Sequence, residues 1–127
     1  MKKEHHFAGA ASSIRQARVF VTETLAATPQ DAVDDAVLIV SELAANAVTH
    51  GNSAFTICVE ETPKLVRIEV RDRGEGEPTP REPRPDEPYG RGLRIVEQLS
   101  QGWGVDSHPE GGKTVWADIA VADQRRK

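Results

Sequence analysis

Three short clusters in the sequence contain residues whose types and spacing could do chemistry. The first is SELAANAVTH, in which Glu42, Asn46 and His50 recur at every fourth position. On an α-helix this spacing sets the three side chains one turn apart in a single row. Asn46 could offer a carbonyl oxygen to Mg²⁺, and Glu42 could accept a proton from a water or a hydroxyl. A solvated polar row beside an apolar stripe is the alternative for this cluster taken alone.

The second cluster is RDRGEGEP, which follows an alternating apolar run. Asp72 would end that strand, where its carboxylate could accept a hydrogen bond from an exocyclic amine such as that of adenine. Gly74 and Gly76 would let the backbone approach a flat ring and a sugar without a clash at Cβ. An ordinary turn at the end of a strand is the alternative interpretation.

The third cluster is YGRGLRIVEQL, where Gly90 and Gly92 precede a helical pattern. Backbone N–H groups at the start of a helix, together with the helix dipole, favour phosphate. The sequence has no G-x-x-x-x-G-K-[ST] motif, so this is not a P-loop. A glycine-rich helix start without a ligand remains the alternative.

Alternating and helical apolar patterns predict the elements that carry these clusters. Helices are expected at 12–26, with Ser12 or Ser13 as N-cap, and from Thr28 as N-cap with Pro29 as first helical residue to about His50. A third helix is expected at 92–100. Strands are expected at 6–10, 55–61, 65–72, 103–107 and 113–121, the second and third forming an antiparallel hairpin. Gly111 and Gly112 would turn the chain before the last strand.

Each predicted strand has one apolar face and each helix one apolar stripe. We therefore predict an α+β fold, a two-layer sandwich with the helices on one face of a mixed, mostly antiparallel sheet. The proline-rich run from Glu77 to Pro88 predicts an exposed loop within a single domain. Trp103 and Trp116 are expected in the core or on a sheet face, and Cys58 as a buried, unreactive thiol.

Composition limits the classes of protein to which the chain could belong. It has 127 residues, which suits one domain, and a formal net charge of −4, which does not favour nucleic acid or an anionic membrane. A single cysteine excludes an intrachain disulfide, and no apolar run is long enough for a signal peptide or a membrane span. These features predict a soluble cytoplasmic protein.

The order of the clusters is similar to that of a known family. The motifs E-L-x-x-N-A-V-x-H-G, D-x-G-x-G, G-x-G-L before a helix and G-G-K-T-V-W on a final strand resemble the Bergerat-fold (GHKL) ATPases. Within them, the chain resembles the small anti-sigma-factor serine kinases of the RsbW type. The resemblance runs from about His6 to Ile119.

The resemblance implies a role for each matching residue. Glu42 would be the general base and Asn46 the Mg²⁺ ligand. Asp72 would bind the adenine amine, assisted by Thr114. The other ATP contacts would come from His50, Gly74, Gly76, Gly90, Arg91, Gly92 and Leu93. For His50, a structural hydrogen bond is the alternative. Residues 77–89 would form a shortened ATP lid, and which of Arg81, Arg84 and Arg91 reaches the γ-phosphate stays open.

The resemblance also implies an activity and partners. The protein would use ATP and Mg²⁺ to phosphorylate a serine or threonine of an anti-sigma antagonist with a STAS domain. It would sequester a sigma factor, and it could form a homodimer. The alternative is an ATP-binding regulatory module without kinase activity, because the lid is short and Glu77 stands where the family has an aliphatic residue. A sensor histidine kinase fragment and a domain without ligand are disfavoured.

Overall fold

A computed structural model describes residues 1–51, 54–72 and 88–121, with the backbone alone at 50–51 and 88–92. Its helices and strands follow one another in the order that the sequence patterns predict. In chain order the elements are β1 (Lys2–Phe7), α1 (Ser12–Thr24), α2 (Gln30–Asn46), a π-helical turn (Ala47–Gly51), β2 (Phe55–Glu61), β3 (Leu65–Asp72), α3 (Pro88–Leu99), β4 (Gly102–Ser107) and β5 (Lys113–Ala120).

The strands form a five-stranded sheet in the order β1-β2-β3-β5-β4. Every pairing between described strands is antiparallel. The predicted hairpin is confirmed, since Phe55 at the start of β2 lies opposite Asp72 at the end of β3. The predicted α+β sandwich is therefore confirmed. The prediction of a mixed sheet included some parallel pairing, and the described strands have none.

The hydrophobic core lies between the sheet and one layer of helices. Val66, Ile68 and Val70 alternate along β3 and are almost fully buried on the helix-facing side. Helix α2 packs against β3 and β5, α1 against β1 and β2, and α3 against α2 and β4. Burial of these apolar faces is the main source of stability in such a two-layer arrangement.

The opposite face of the sheet, which we call the outer face, has no helix of the described chain packed on it. Arg67 on β3 joins Asp118 on β5 there through two hydrogen bonds, Nε to Oδ1 at 2.7 Å and Nη2 to Oδ2 at 3.0 Å. The Arg67 guanidinium also lies 4.5 Å from the ring centroid of Trp116. Cys58 is buried and Trp103 packs against the core, as predicted.

The first strand lies earlier than the predicted 6–10 segment. β1 spans Lys2–Phe7, and the chain turns after Phe7. Only Phe7 is buried in this strand, where its ring stacks on Phe55 with the centroids 5.2 Å apart. An edge strand with one buried residue carries almost no periodic signal, which is why its limits could not be predicted.

The predicted N-caps are wrong for both of the first two helices. Ala11 is the N-cap of α1 and Pro29 that of α2, and neither helix has a side-chain cap. Ser12 and Ser13 belong to α1 itself. The buried Thr28 hydroxyl instead donates a hydrogen bond to the carboxylate of Glu61, because an ionised acceptor compensates a buried donor well.

Three further helix boundaries also differ from the prediction, the first being the end of α1 at Thr24 instead of 26. Helix α2 is α-helical to Asn46 and then continues as the π-helical turn. A π-helix has more residues per turn than an α-helix, so His50 does not follow Asn46 at the α-helical spacing that the prediction assumed. Helix α3 begins at Pro88 instead of 92, since proline suits the first turn of a helix. The last two residues of the predicted 77–89 lid therefore belong to α3, and 77–87 lie outside the described residues. No helix within the described ranges is long and apolar enough to cross a membrane.

Candidate functional site

The candidate site lies at the end of the sheet where β3 finishes. Asp72, the last residue of β3, lies opposite Phe55 of β2 and Lys113 of β5. The π-helical turn that ends at Gly51 leads within a few residues into Phe55. The ends of three strands therefore meet at this end of the sheet, and the chain enters one of them, β2, soon after α2 and the π-helical turn.

Asn46, the last α-helical residue of α2, is buried with 8% of its surface exposed. Its side-chain Nδ2 has no hydrogen-bond partner among the described residues. A buried polar atom without a partner is costly, so native structures seldom retain one without a functional reason. Glu42 lies one helical turn earlier and is half-buried, so both side chains lie on the same side of α2.

Asp72 is 5% exposed and has a charged partner. The Lys113 ammonium donates to Asp72 Oδ2 at 3.2 Å. Because residues directly opposite in an antiparallel pair leave the sheet on the same face, both side chains lie on the helix-facing side. The pair places an acceptor and a cationic donor next to each other at the end of the core.

Thr114 lies one residue further along β5 and is 8% exposed. It lies opposite Arg71, so it shares the outer face with Arg71 and not the helix-facing side with Asp72. Its hydroxyl forms a hydrogen bond with His108 Nε2 at 2.7 Å. Within the part of the chain that the structure describes, the Asp72 carboxylate is thus paired with Lys113, and the Thr114 hydroxyl is hydrogen-bonded to His108.

The turn between β4 and β5 borders this site. The His108 N–H bonds the Gly112 carbonyl at 3.0 Å, and the Gly111 N–H bonds the His108 carbonyl at 2.9 Å. Gly111 and Gly112 have φ of 110° and 88°, a region that favours glycine. The expected glycine turn is therefore confirmed, and it fixes His108 beside Thr114.

A cleft of about 560 Å³ opens at the end of the sheet. Its described lining residues are Arg71, Asp72, His108, Glu110, Gly111 and Thr114. A cleft of this volume is large enough for a nucleotide-sized ligand. Two predicted site residues, Asp72 and Thr114, share it, whereas Asn46 is not among its lining residues.

The remaining predicted site residues divide into three groups. Gly74 and Gly76 lie outside the described residues. Gly90, Arg91 and Gly92 are the third to fifth residues of α3 and do not precede it. Only their backbone is described, as is that of His50. The Leu93 side chain packs against the hydrophobic core.

Sequence reasoning missed Lys113, His108 and Glu110 as residues of the site. Lys113 stands inside the quoted G-G-K-T-V-W motif, directly before Thr114. The signal that could have found it is the charge opposite to that of Asp72, combined with the β3–β5 register. That register joins positions 41 residues apart and is not readable from local patterns.

Comparison with known proteins shows the family to which this chain belongs. The sequence model of the histidine kinase-like ATPase domain family matches residues 7–119 of the chain. The chain therefore belongs to the histidine kinase-like ATPase domain family. Membership implies that it binds ATP, and the resemblance to the Bergerat-fold ATPases is confirmed.

A solved structure supports the same fold. The chain is similar to the crystal structure of the RsbU and RsbW domains of Rv1364c from Mycobacterium tuberculosis, with a TM-score of 0.75 and 21% sequence identity. The match covers 97% of this chain and 33% of that one, so the chain spans about a third of the length of that structure. At this identity the likeness shows the fold alone. No curated protein sequence matches the chain.

Proposed function

We propose that this domain is a cytoplasmic regulatory kinase of the anti-sigma-factor type. It binds ATP with Mg²⁺ and transfers the γ-phosphoryl group to a serine or threonine of a STAS-domain antagonist. The same domain sequesters a sigma factor. Family membership and the RsbW-type fold support this proposal.

The observation that carries the proposal is the buried side-chain nitrogen Nδ2 of Asn46, which has no hydrogen-bond partner among the described residues. Rotation by half a turn about the terminal bond of this side chain exchanges its nitrogen and oxygen. The amide can then present the oxygen that Mg²⁺ prefers. Mg²⁺ usually binds one or two protein groups together with substrate phosphates, so a single amide oxygen fits the ion in the presence of ATP.

Asp72 supports the nucleotide part of the proposal. Its carboxylate ends β3, is almost fully buried and borders the cleft. An ionised carboxylate accepts hydrogen bonds only, which matches the exocyclic amine of adenine. Asp72 would accept from that amine, while Asn46 would hold the ion at the phosphates.

Glu42 is the proposed general base. The hydroxyl oxygen of the antagonist's serine or threonine forms a bond to the γ-phosphorus while the bond to the bridging oxygen of ADP breaks. The hydroxyl proton passes to the Glu42 carboxylate, and ADP leaves. Bound Mg²⁺ would neutralise the charge that develops on the phosphate oxygens. Glu42 and Asn46 are one turn apart on α2, which favours joint action on one phosphate group.

The test is transfer of radiolabelled phosphate from Mg²⁺-ATP to a purified STAS-domain protein from the same organism. The wild-type protein should label it, and Glu42→Gln should reduce labelling by about 10²-fold or more while ATP affinity is kept. Glu23→Gln, an exposed glutamate on α1, is the matched control and should label normally.

Two outcomes would contradict parts of this proposal. Unchanged labelling by Glu42→Gln would exclude Glu42 as the base. ATP binding by calorimetry without transfer to any STAS-domain protein would support a nucleotide-binding regulatory module instead of a kinase.

A further inference from the structure

Lys113 occupies a position from which it could contact the same ligand as Asp72. Its ammonium is 3.2 Å from Asp72 Oδ2, and its side chain keeps 28% of its surface exposed against 6% for that of Asp72. A buried carboxylate requires compensation of its charge, and this ammonium provides it. Because Lys113 is the more exposed partner, it lies nearer to solvent than the carboxylate does.

The base edge of adenine presents two neighbouring groups of opposite polarity. The 6-amine is a donor, and the ring nitrogen N1 beside it is an acceptor. A carboxylate alone matches the amine but faces the lone pair of N1 with negative charge. An ammonium beside the carboxylate removes this conflict, because it carries donors only.

We propose that Lys113 is a specificity-determining residue that donates a hydrogen bond to adenine N1 while Asp72 accepts one from the 6-amine. The inference rests on the proposed placement of adenine at Asp72. The Asp72–Lys113 pair then recognises two adjacent atoms of one base.

The pair also explains how other purines would be rejected. Hypoxanthine and guanine carry a carbonyl oxygen at position 6 and a hydrogen on N1, so both polarities are reversed. Against the same pair, the carbonyl oxygen would face a carboxylate and the N1–H an ammonium. Sites that hydrogen-bond a substrate group reject analogues strongly when their own buried groups lose their partners.

The experiment is a two-by-two comparison of dissociation constants by calorimetry. Wild type and Lys113→Met are titrated with ATP and with 1-deaza-ATP, in which a C–H group replaces N1. Wild type should bind 1-deaza-ATP at least about tenfold more weakly than ATP, because a hydrogen bond from a charged donor is lost. Lys113→Met should lose a similar factor for ATP and bind both nucleotides equally.

Two control variants separate this effect from a loss of structure. Lys64→Met removes an exposed lysine from the turn between β2 and β3, at the far end of the sheet, and should behave as wild type. Lys113→Gln keeps a donor without the charge and should retain part of the preference for ATP. Lys113→Gln also provides the test if Lys113→Met does not fold.

The outcomes that overturn the inference differ from those that overturn the proposed function. Equal binding of the two nucleotides by wild type, or an unchanged preference for ATP in Lys113→Met, would exclude Lys113 as the N1 donor. Wild-type protein that binds neither nucleotide would instead remove the proposed function, and the inference with it.

Discussion

Gly104 on β4 lies directly against the indole ring of Trp116 on β5. A Cβ atom built at Gly104 would be 2.8 Å from the indole Nε1 and 2.9 Å from two ring carbons. The two residues are opposite each other in the β4–β5 ladder, so the ring lies across β4 on the outer face. The glycine therefore leaves the space that the indole occupies.

Gly104→Ala should destabilise the fold by about 1–3 kcal/mol, because an added methyl group in a tightly packed site forces its neighbours to move. The indole would have to shift, and its contact with the Arg67 guanidinium would be disturbed. Denaturant unfolding monitored by tryptophan fluorescence measures the loss.

Gly102→Ala is the matched control for this variant. It lies on the same strand and the same face, but its Cβ would be 4.0 Å from the nearest Trp116 atom, an ordinary contact. Its effect should be clearly smaller. Equal losses for the two alanine variants would show that strand propensity, and not the indole, sets the requirement for glycine.

His108 should support the nucleotide site through Thr114. Its Nε2 atom is 2.7 Å from the Thr114 hydroxyl, and both residues line the cleft. His108→Ala should weaken ATP binding about fivefold, which is the range of one net hydrogen bond. Calorimetric titration with ATP measures the change.

A double-mutant cycle tests whether the two side chains act together. Thr114→Val should weaken binding at least as much as His108→Ala, and the double variant should be no worse than Thr114→Val alone. If the two losses multiply in the double variant, the residues act independently and the proposed link is wrong.

The central strands and α2 could be predicted because their patterns reflect burial directly. Val66, Ile68 and Val70 alternate in sequence and alternate in the structure, since a strand with one covered face must place apolar residues at every second position. The N-caps could not be predicted in the same way. Thr28 has the right type for a cap, but a tertiary partner, Glu61, uses its hydroxyl instead.

Chemical type indicated part of the candidate site, and the arrangement of that site depends on strand register. Asn46 and Asp72 could be selected because each is a polar residue at the edge of an apolar pattern, and such departures are typical of functional sites. The pairing of Asp72 with Lys113 follows from how β5 lies against β3. The same register places Thr114 on the face opposite to Asp72, which the sequence motif alone did not indicate.

Cys58 should react slowly with thiol reagents in the folded protein. Burial raises the pKa of its thiol, and the negative charge of Glu69, its direct neighbour on β3, raises that pKa further. The thiolate is the reactive species, so a higher pKa and an exposure of 4% both slow alkylation. Labelling by iodoacetamide near neutral pH should be at least about tenfold slower in native than in unfolded protein.

Glu69→Gln separates the effect of the neighbouring charge on the labelling rate of Cys58 from the effect of burial of the thiol. It removes the negative neighbour without opening the strand pair, so native labelling should become faster by a small factor. Equal rates in native and unfolded wild-type protein would contradict the burial of Cys58. Cys58→Ala has no cysteine, so it measures the background of non-specific labelling by iodoacetamide.

The ionised carboxyl of Asp35 should destabilise the folded protein at neutral pH. Burial raises the pKa of its carboxyl, and the charges of Asp31 and Asp34 on the same helix raise it further. Between the ordinary pKa and the raised one, the folded state binds more protons than the unfolded state, so this carboxyl's contribution to stability falls as pH rises. At about pH 7 the carboxyl is ionised in both the folded and the unfolded state, and the folded state carries the full energetic penalty.

Asp35→Asn should therefore raise the free energy of unfolding by about 0.5 kcal/mol at about pH 7, the size of a like-charge pair one turn apart. That gain should fall to a small remainder near about pH 3, below the ordinary aspartate pKa of about 3.9, because the carboxyl is then mostly protonated in both states. Thermal unfolding across this pH range measures it, with the exposed Glu97→Gln on α3 as control. A gain that is the same at both pH values would mean that the charge of Asp35 is not its cause.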